Sequence, residues 1–580
     1  MQHLLLCFLA LLCVVSAATT TPTPSLASIL MKGMFGVPID AAGVGGGVEC
    51  VGCTIVIALL EQWSDIHNKT VDESMETLCS YLPDDFGAYC KTLIVEYGAR
   101  VIEFLEDEAS PDEVCHGIDL CSMPQCSLFP KPPRSAENEQ KMIKKIATIR
   151  KASRNMQSKV KDNPIDWIIK YITQVINTHE PLVDLDGDHF STLEYLRGDN
   201  WRGKDCNDLD DTIYAGRKSS THGTDTDHDC NGIYGTDESG TPYEDLWCKD
   251  TPRYGVAILG DSAGAHFHVP PSYLTSSLIN EDTYKDILNI AFSEFDWPQM
   301  SAATGYEHTP WVGAPKGNVS STYLKMLERN RCMFKDFQNI AVNGARVGAM
   351  ADNIIHSFAR NASFDYPVML SYALIGNDVC NPHYGLSHMT TPDEFYTSVV
   401  KSLKILDDGV LPKGSHVSFM GLANGSVLFE LLANKIHPLG SYRKDVTYSH
   451  YYDYFNCLEI SPCFGWMNSN ATWRELTTQR AIELSAVYSK IMANNTFKNF
   501  DMTYFDNPLQ AIFAEYKEQG GDLIDLIEPV DGFHPSQVAN YLTAEYQWKL
   551  AVQKYPYLMN PINPHNDDII KKFGNQGGYK

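Results

Sequence analysis

Positive charge is scarce in this sequence, and so are long apolar runs. Its 580 residues include 46 Lys and Arg against 72 Asp and Glu, which gives a net charge of −26. Nucleic acid is therefore not an expected partner, because its phosphates are bound through clustered Lys and Arg. Beyond the N-terminal residues, no window offers the roughly 18 uncharged apolar residues that a membrane-spanning helix needs. We expect a soluble mature chain with two or three domains.

The first 18 residues have the pattern of a secretory signal peptide. An apolar stretch from Leu4 to Val15 precedes small residues that end at Ala18, although Lys and Arg are missing before it. The stretch is too short to span a bilayer as a helix. We expect an N-terminal or pro segment over 19–45 and a secreted or endosomal-lysosomal protein. Six N-x-S/T sequons agree with that route, at Asn68, Asn318, Asn361, Asn424, Asn470 and Asn494.

The cysteine count predicts disulfides, one of which must join the two halves of the chain. Of 16 cysteines, Cys7 and Cys13 lie in the predicted signal peptide, which leaves 14 for an oxidising compartment. Seven of these precede a basic segment and seven follow it. Because each half has an odd number, at least one disulfide should cross between them, and we expect Cys126 to be its N-terminal partner.

Residues 46–126 have the pattern of a small helical domain. Segments such as "CTIVIALLEQW" and "CKTLIVEYGARVIEFLED" place apolar residues at three- and four-residue steps, which predicts amphipathic helices. The order of the six cysteines and the helix phase resemble the saposin B-type domains. The resemblance implies lipid binding and the pairs Cys50 with Cys121, Cys53 with Cys115, and Cys79 with Cys90. The alternative is that the apolar faces pack together or against the rest of the chain.

A basic linker over 127–165 marks a domain boundary in this acidic chain. Between residues 127 and 162 there are ten Lys and Arg against three Asp and Glu. The run "KMIKKIATIRKASR" has two interpretations, a basic amphipathic helix for anionic lipid surfaces or a solvated linker open to proteases. We favour the solvated linker, with processing that leaves two disulfide-linked subunits from one precursor.

Residues 166–250 contain acidic loops typical of calcium sites. Carboxylates and Asn recur at every second position in "DLDGDHF", "DCNDLDD" and "DTDHDCNGI", a spacing of oxygen ligands that suits Ca²⁺. We expect more than one structural calcium ion, and the alternative is a solvated acidic segment. The predicted ligands are Asp184, Asp186, Asp188, Phe190, Asp205, Asn207, Asp208, Asp211, Asp225, Asp227, Asp229, Asn231 and Ile233, with Phe190 and Ile233 acting through their carbonyls.

The stretch "RYGVAILGDSAGAHFH", residues 253–268, predicts a nucleophilic serine. A short apolar strand is followed by a tight turn that contains Ser262. In an α/β sheet, catalytic groups commonly lie in the turns at the carboxyl ends of the strands. The motif fits both the α/β-hydrolases, with G-x-S-x-G, and the GDSL/SGNH esterases, with Gly-Asp-Ser, and the alternative is a structural turn. Several βα units precede the serine in an α/β-hydrolase, whereas Ser262 follows the first strand of its domain.

Three later segments favour the SGNH family. Strands that end in polar turns are predicted at "NIAVNGARVG" and "YPVMLSYALIGNDVC", and "DGFHP" precedes a helix. The resemblance to the SGNH blocks implies that Ser262 is the nucleophile, His534 the general base and Asp531 its orienting partner. It assigns the oxyanion hole to the backbone of Ser262 and Gly344 and the amide of Asn377. Each residue taken alone also fits a turn or a helix start.

The predicted fold class is multidomain. An all-α, disulfide-stapled saposin-like domain and the calcium-binding coil precede an α/β SGNH-hydrolase domain over 251–580, with a flavodoxin-like parallel sheet and helices on both faces. "SHVSFMGLANG" supplies a further strand. We interpret His266 and His268 as packing or pocket residues and Asp378 as support for the site. Insertions around 270–335 and 425–500 are expected to shape the acyl pocket.

The order of the three parts resembles the acyloxyacyl hydrolase family over nearly the whole chain. The resemblance implies a carboxylic ester hydrolase that removes secondary acyl chains from lipid A of bacterial lipopolysaccharide, on a membrane or micelle surface contacted by the saposin-like domain. The motifs alone indicate only a secreted lipid esterase. The alternatives are a general lysosomal phospholipase or acyltransferase, and a lipid-binding and presenting protein with an inactive hydrolase domain.

Overall fold

The computed structural model describes residues 43–153, 166–218 and 226–576. The predicted signal peptide, most of the predicted pro segment, the end of the basic linker and Asp225 lie outside the described residues. The N-terminal helical domain and the α/β domain share one buried apolar cluster, so the two domains are packed together.

Five helices form the N-terminal domain, and two of them begin with a capping box. The hydroxyls of Thr70 and Ser110 accept from the backbone N–H groups of Glu73 and Glu113, three residues later. The carboxylates of these glutamates accept from the backbone N–H groups of Thr70 and Ser110. The six cysteines are paired as the saposin resemblance implies. The helices are α1 (Gly47–His67), α2 (Val71–Ser80), α3 (Asp84–Leu93), α4 (Ala99–Glu106) and α5 (Pro111–Gly117), with a π-helical turn at Ile94–Gly98.

Helix α1 packs against the α/β domain. It is the one helix in the described part of the chain that is long and apolar enough to cross a membrane, yet 89% of its apolar window is buried inside the protein. Gln62 Nε2 donates to the carbonyl of Leu439 (2.9 Å), and Tyr454 Oη donates to Thr54 Oγ1 (3.0 Å). For α1 the structure therefore agrees with the alternative interpretation of the apolar faces, in which they pack against the rest of the chain.

The first part of the basic linker is a docked helix, α6 (Ala136–Ser153), and not the solvated segment that its composition favours. Lys145 Nζ lies 2.6 Å from a carboxylate oxygen of Asp107, and Arg150 Nε lies 2.6 Å from one of Asp119. The basic side chains of α6 thus find their partners on the acidic N-terminal domain. A count of charges along the chain misses this pairing because it is tertiary.

Five parallel strands form the sheet of the α/β domain, in the order β2-β1-β3-β4-β5. This is the flavodoxin-like order that the sequence predicts, and it places the carboxyl ends of β1 and β3 side by side. The strands are β1 (Gly255–Gly260), β2 (Phe337–Asn339), β3 (Val368–Ala373), β4 (Ser415–Met420) and β5 (Phe500–Phe505).

Two strands differ from the prediction. Strand β2 ends at Asn339, where the predicted strand begins, and the apolar residues that follow continue as buried loop beside β1. The N–H of Val342 still donates to the carbonyl of Gly260 (3.1 Å). Strand β5 begins where the predicted insertion ends. It is an edge strand that exposes Asp501, so it lacks the continuous apolar run of a central parallel strand.

Helices connect and cover the strands. They are α7 (Asp166–Thr178), α8 (Asp199–Arg202), α9 (Tyr243–Trp247), α10 (Ser262–Ala265), α11 (Ile287–Phe292), α12 (Thr322–Arg329), α13 (Val347–Asp352), α14 (Pro392–Ile405), α15 (Ser426–Leu432), α16 (Tyr448–Cys457), α17 (Ala471–Asn494), α18 (Leu509–Glu518), α19 (Gln537–Lys554) and α20 (Asn566–Phe573). The longest, α17, occupies the predicted insertion and packs against α14. All cysteines from Cys50 onward are paired, and the disulfide Cys126–Cys457 joins the two halves of the chain.

Candidate active site

Ser262 begins the short helix α10 directly after β1, and the preceding aspartate fixes its position. One oxygen of buried Asp261 accepts from the N–H groups of Ile375 (2.8 Å) and Gly376 (3.1 Å) just beyond β3. Burial raises the pKa of Asp261, and these backbone N–H groups oppose the shift. The carboxylate ties the turn after β1 to the turn after β3, and Ser262 and Asn377 line the same pocket.

Ser262, His534 and Asp531 form one hydrogen-bonded chain. His534 Nε2 lies 2.7 Å from Ser262 Oγ, and His534 Nδ1 lies 2.5 Å from Asp531 Oδ2. The other oxygen of Asp531 accepts from the N–H groups of Phe533 (2.8 Å) and His534 (3.1 Å), so the carboxylate also shapes the turn that carries the imidazole. With Nδ1–H directed at Asp531, Nε2 is free to accept the Ser262 proton. This arrangement can activate a serine for acyl transfer.

The two predicted oxyanion residues occupy different places around Ser262. Asn377 lines the pocket with Ser262 and His534. Gly344 lies in the turn that follows the β2 extension and has a φ of 76°, a left-handed conformation that glycine adopts without strain. Gly344 is not among the described residues that line the pocket. Its backbone lies two residues beyond Val342, whose N–H bonds to the end of β1.

A buried histidine–glutamate pair lies behind the triad. His268 Nδ1 is 2.6 Å from Glu528 Oε2, and His268 Nε2 is 3.1 Å from the carbonyl of Gly313. Burial raises the pKa of Glu528, and the facing His268 opposes the shift. The Glu528 N–H also donates to the carbonyl of His534 (2.8 Å). Sequence reasoning missed Glu528, whose one signal is its place three residues before Asp531.

The remaining polar residues near the site are structural. Burial lowers the pKa of His266 to about 3, so this imidazole is neutral, and its backbone carbonyl accepts from Trp297 (3.0 Å). Asp378 accepts from Thr390 Oγ1 (2.6 Å) and from the N–H of Val347 (3.2 Å), and burial raises its pKa to about 6. Asp378 thus holds the loop that carries its neighbour in the pocket.

The pocket beside the triad is mostly apolar. Its floor is the apolar cluster of Ile258 on β1, Ala373 on β3 and Ala303 from the loop before α12. Trp466, in the loop before α17, and Phe513, on α18, supply part of its wall. Such a pocket suits an aliphatic chain whose carbonyl lies at Ser262.

Two of the predicted calcium loops converge into one acidic cluster. Asp184, Asp186 and Asp188 bring carboxylate oxygens within 4.8 Å of one another, and so do Asp186, Asp205 and Asp208. Among the described residues, one buried oxygen each of Asp186, Asp188 and Asp205 has no hydrogen-bond donor. Burial, followed by repulsion among these carboxylates, raises the pKa of Asp188 to about 8 and that of Asp205 to about 7. Convergent, unsatisfied oxygens of this kind fit a calcium ion.

Three other predicted ligands lie beside this cluster. The N–H of Asn207 donates to Asp205 Oδ1 (2.8 Å), which shapes the loop, and Asp211 is exposed. The Phe190 ring is buried and stacks on Tyr214 with centroids 5.2 Å apart, directly after the first acidic loop.

An arginine pairs with one carboxylate of the third predicted calcium loop. The sequence predicts ligands here at Asp225, Asp227, Asp229, Asn231 and Ile233. Arg253 pairs with Asp229 (3.0 Å) and Glu244 (3.3 Å), and the Asn231 amide donates to Asp229 (3.1 Å). Asp227 accepts from the N–H of Gly232 (2.7 Å), and Ile233 packs in an apolar cluster. Asp225 lies outside the described residues, and in the described part of the loop no three carboxylates converge.

The sequons are mainly on the surface. Asn68, Asn318, Asn361, Asn470 and Asn494 are exposed. Asn424 is half-buried, and its amide oxygen accepts from Thr478 Oγ1 (3.1 Å).

Comparisons with known proteins agree with this division of the chain. A family of saposin-like domains matches residues 49–169, and the GDSL-like lipase/acylhydrolase family matches residues 256–546. The acyloxyacyl hydrolase of Oryctolagus cuniculus is 40% identical over 91% of this chain and 93% of its own length. The acyloxyacyl hydrolase of Homo sapiens is 39% identical over 92% of this chain and 94% of its own length. Saposin-C of Cavia porcellus is 27% identical over 13% of this chain and 94% of its own length.

Proposed function

The chain belongs to the acyloxyacyl hydrolase family, and from that premise we propose that it removes the secondary fatty acyl chains of lipid A from bacterial lipopolysaccharide. It is an ester hydrolase that deacylates lipids. The observation that best supports the finer proposal is the Ser262–His534–Asp531 chain at the mouth of an apolar pocket. Esters are better acyl donors than amides, and His534 is the only leaving-group acid that the triad offers. The amide-linked chains of the glucosamines should therefore remain attached.

The reaction is acyl transfer to Ser262 and then to water. His534 takes the Ser262 proton as Oγ attacks the ester carbonyl, and Asp531 stabilises the imidazolium. The backbone N–H of Ser262 and the amide of Asn377, which both line the pocket, would stabilise the oxyanion, and a contribution from the N–H of Gly344 stays a prediction from the sequence. His534 then gives its proton to the departing alkoxide. A water molecule, activated by the same imidazole, hydrolyses the acyl-enzyme and releases the fatty acid.

Mass spectrometry of fatty acids released from purified lipopolysaccharide tests this proposal. We expect secondary acyl chains with the wild-type protein, no release with Ser262→Ala, and labelling of Ser262 by a fluorophosphonate probe. Release of primary, amide-linked chains would contradict the substrate assignment, and so would faster release from phospholipid vesicles. An unlabelled Ser262 would instead indicate a lipid-binding protein without hydrolase activity.

We also propose that the acidic cluster of Asp184, Asp186, Asp188, Asp205 and Asp208 holds a structural calcium ion. The support is the convergence of its carboxylates and the buried oxygens that have no donor. These residues belong to the coil that precedes β1, away from the pocket lining. The ion would stabilise the fold of this coil and take no part in the reaction.

The saposin-like domain supplies the proposed contact with a lipid aggregate. Helix α1 is buried, whereas Val95, in the π-helical turn after α3, is 87% exposed. An exposed aliphatic side chain of this kind can enter an amphiphile surface. Passage through the secretory route is supported by the pairing of every cysteine from Cys50 onward, since disulfides persist in oxidising compartments. The two subunits of a processed form would be joined by Cys126–Cys457.

A further inference from the structure

The acyl pocket runs backwards along the sheet, away from the triad. On the sheet side it is lined in turn by Ile375, Ala373 and Ser371, alternate residues of β3 and its extension that share one face. On the opposite side it is lined by α19, from Ala539 to Gln547. The pocket is therefore a channel between the face of the sheet and one face of a helix.

The two walls give the same depth. On β3 and its extension, the four residue steps from Ser371 to Ile375 span about 13 Å at about 3.3 Å per residue. Eight residues of helix span about 12 Å at 1.5 Å per residue. An extended alkyl chain advances about 1.25 Å per carbon, given C–C bonds of about 1.5 Å at tetrahedral angles, so this depth suits about ten carbons.

A second cavity continues the channel in the same direction. It is lined by Met369, the next residue of β3 on the same face, and by Ala551, one helical turn beyond Gln547. Ser371, Met420 and Gln547 line both cavities. These three residues therefore form a wall between the channel and the cavity behind it.

The wall is closed by one side-chain contact. The Gln547 amide donates to the thioether sulfur of Met420, with Nε2 and Sδ 3.6 Å apart. Both side chains are flexible and only half-buried. Ser371 on β3 and Met420 on β4 both lie on strands that are paired on two sides, and Ser371 has the shorter side chain. The contact of Gln547 with Met420 is thus the part of the wall that a substitution can open.

We propose that Gln547 and Met420 set the acyl-chain length that the enzyme accepts, by closing the end of the channel. The inference rests on the acyl-ester hydrolysis proposed above. Opening the wall would lengthen the channel by two residues of β3, or by one turn of α19. Either distance is about 6 Å, which corresponds to about five carbons of an extended chain. A pocket that ends in a wall discriminates strongly between chains, because one methylene too many costs about 10- to 200-fold in kcat/KM.

Chain-length profiles test the wall. The probes are p-nitrophenyl esters with acyl chains of about eight to about eighteen carbons, at one fixed detergent concentration, so that chain length is the only variable. Gln547→Ala and Met420→Ala are each expected to raise the ratio of long-chain to short-chain kcat/KM at least about fivefold, within the range for one excess methylene. Thr543→Phe, one helical turn nearer the triad, should lower the same ratio because it shortens the channel.

The matched control is Gln553→Ala, which removes the same side chain from an exposed position on the same helix. It should leave the profile of the wild type unchanged. Unchanged profiles in both wall variants would overturn the proposal, and so would a profile in Thr543→Phe that does not move toward short chains. Thermal melts report whether each variant folds. If a wall variant does not fold, Thr543→Phe still tests the proposal. Failure on lipopolysaccharide alone would contradict only the proposed substrate, because the profile is measured on simple esters.

Discussion

Asn377 is the side chain whose role can be tested most directly at the scale of one residue. It lines the pocket with Ser262 and His534, and the proposed mechanism gives its amide one hydrogen bond to the oxyanion. Asn377→Ala should lower kcat about 10²- to 10³-fold, the usual effect of removing one oxyanion donor. Asn138→Ala on α6, which removes an exposed asparagine from the N-terminal half, is the control. Full activity in a folded Asn377→Ala protein would remove Asn377 from the oxyanion hole.

Glu528 should stabilise the fold of the site. It faces His268 at 2.6 Å, and both side chains are buried. Removing one partner of a buried hydrogen bond costs about 1–3 kcal/mol, because the other group stays buried and unsatisfied. Glu528→Ala should therefore lower the melting temperature by several degrees. Asp352→Ala breaks the exposed pair with Lys401 and should change it little, since such pairs contribute about 0–1 kcal/mol. Equal melting curves for both variants would show that the His268–Glu528 contact does not stabilise the fold.

Local motifs made the triad predictable, whereas the residues that support the triad could not be predicted. Ser262 and the Asp531–His534 turn each belong to a short sequence pattern whose local structure can be predicted from the pattern itself. Glu528 meets His268 across 260 positions of sequence, and Arg253 reaches Asp229 and Glu244 only after the chain has folded. No spacing rule connects such residues. The third acidic loop, which the sequence predicts as a calcium site, contains such a pair between Arg253 and Asp229.

Strands β1, β3 and β4 lie where the sequence predicts them. Strand β1 is a continuous apolar run that is buried along its whole length, as expected of a central parallel strand, whereas in β4 buried residues alternate with half-buried ones such as His416 and Ser418. Strand β5 escaped prediction, and a helix at α6 was the less favoured of two interpretations, because each element has a polar face whose partner is distant in sequence. Capping boxes, by contrast, mark the starts of α2, α5 and α14 within four residues of sequence.

Calcium removal tests the acidic coil as an element. The five convergent carboxylates repel one another, and a bound cation would stabilise the folded coil by mass action. EDTA should lower the melting temperature, and added Ca²⁺ should restore it. Substitution of Asp186, which belongs to both carboxylate groups, by Asn should abolish the response to EDTA. Asp250→Asn, at an exposed position that is not a predicted ligand, is the control. An unchanged melting curve after verified metal removal would contradict the site.

Cys126–Cys457 holds the molecule together across its two halves. The bridge spans 331 positions, and it is the only disulfide within the described residues that links the N-terminal domain to the α/β domain. If the chain is cut between α6 and α7, the two parts should stay together on a denaturing gel until a reductant is added. In a Cys126→Ser protein cut at the same place, they should separate without reductant. Separation of the unaltered protein without reductant would show that the bridge is not formed.

The packing of the two domains changes how a role in lipid presentation must be tested. Deleting the saposin-like domain would expose the face of the α/β domain that α1 covers, so loss of activity would report unfolding as readily as lost lipid contact. A single exposed side chain avoids this. Extraction of an acyl chain from an aggregate costs about 0.8 kcal/mol for each CH₂ that leaves apolar surroundings. A domain that enters the aggregate lowers this cost by holding the active site at its surface.

Val95 is the side chain best placed for such a contact, because it is 87% exposed in the π-helical turn after α3. Burying a valine in an apolar surface contributes about 1.5 kcal/mol, which is about tenfold in affinity. Val95→Glu should therefore reduce deacylation of micellar lipopolysaccharide about tenfold or more, while hydrolysis of a short soluble ester continues at the rate of the wild type. Val552→Glu places the same charge on α19 in the α/β domain, where the side chain is 44% exposed, and should affect neither substrate. Equal activity of the two variants on micelles would show that the saposin-like domain does not reach the lipid through this turn.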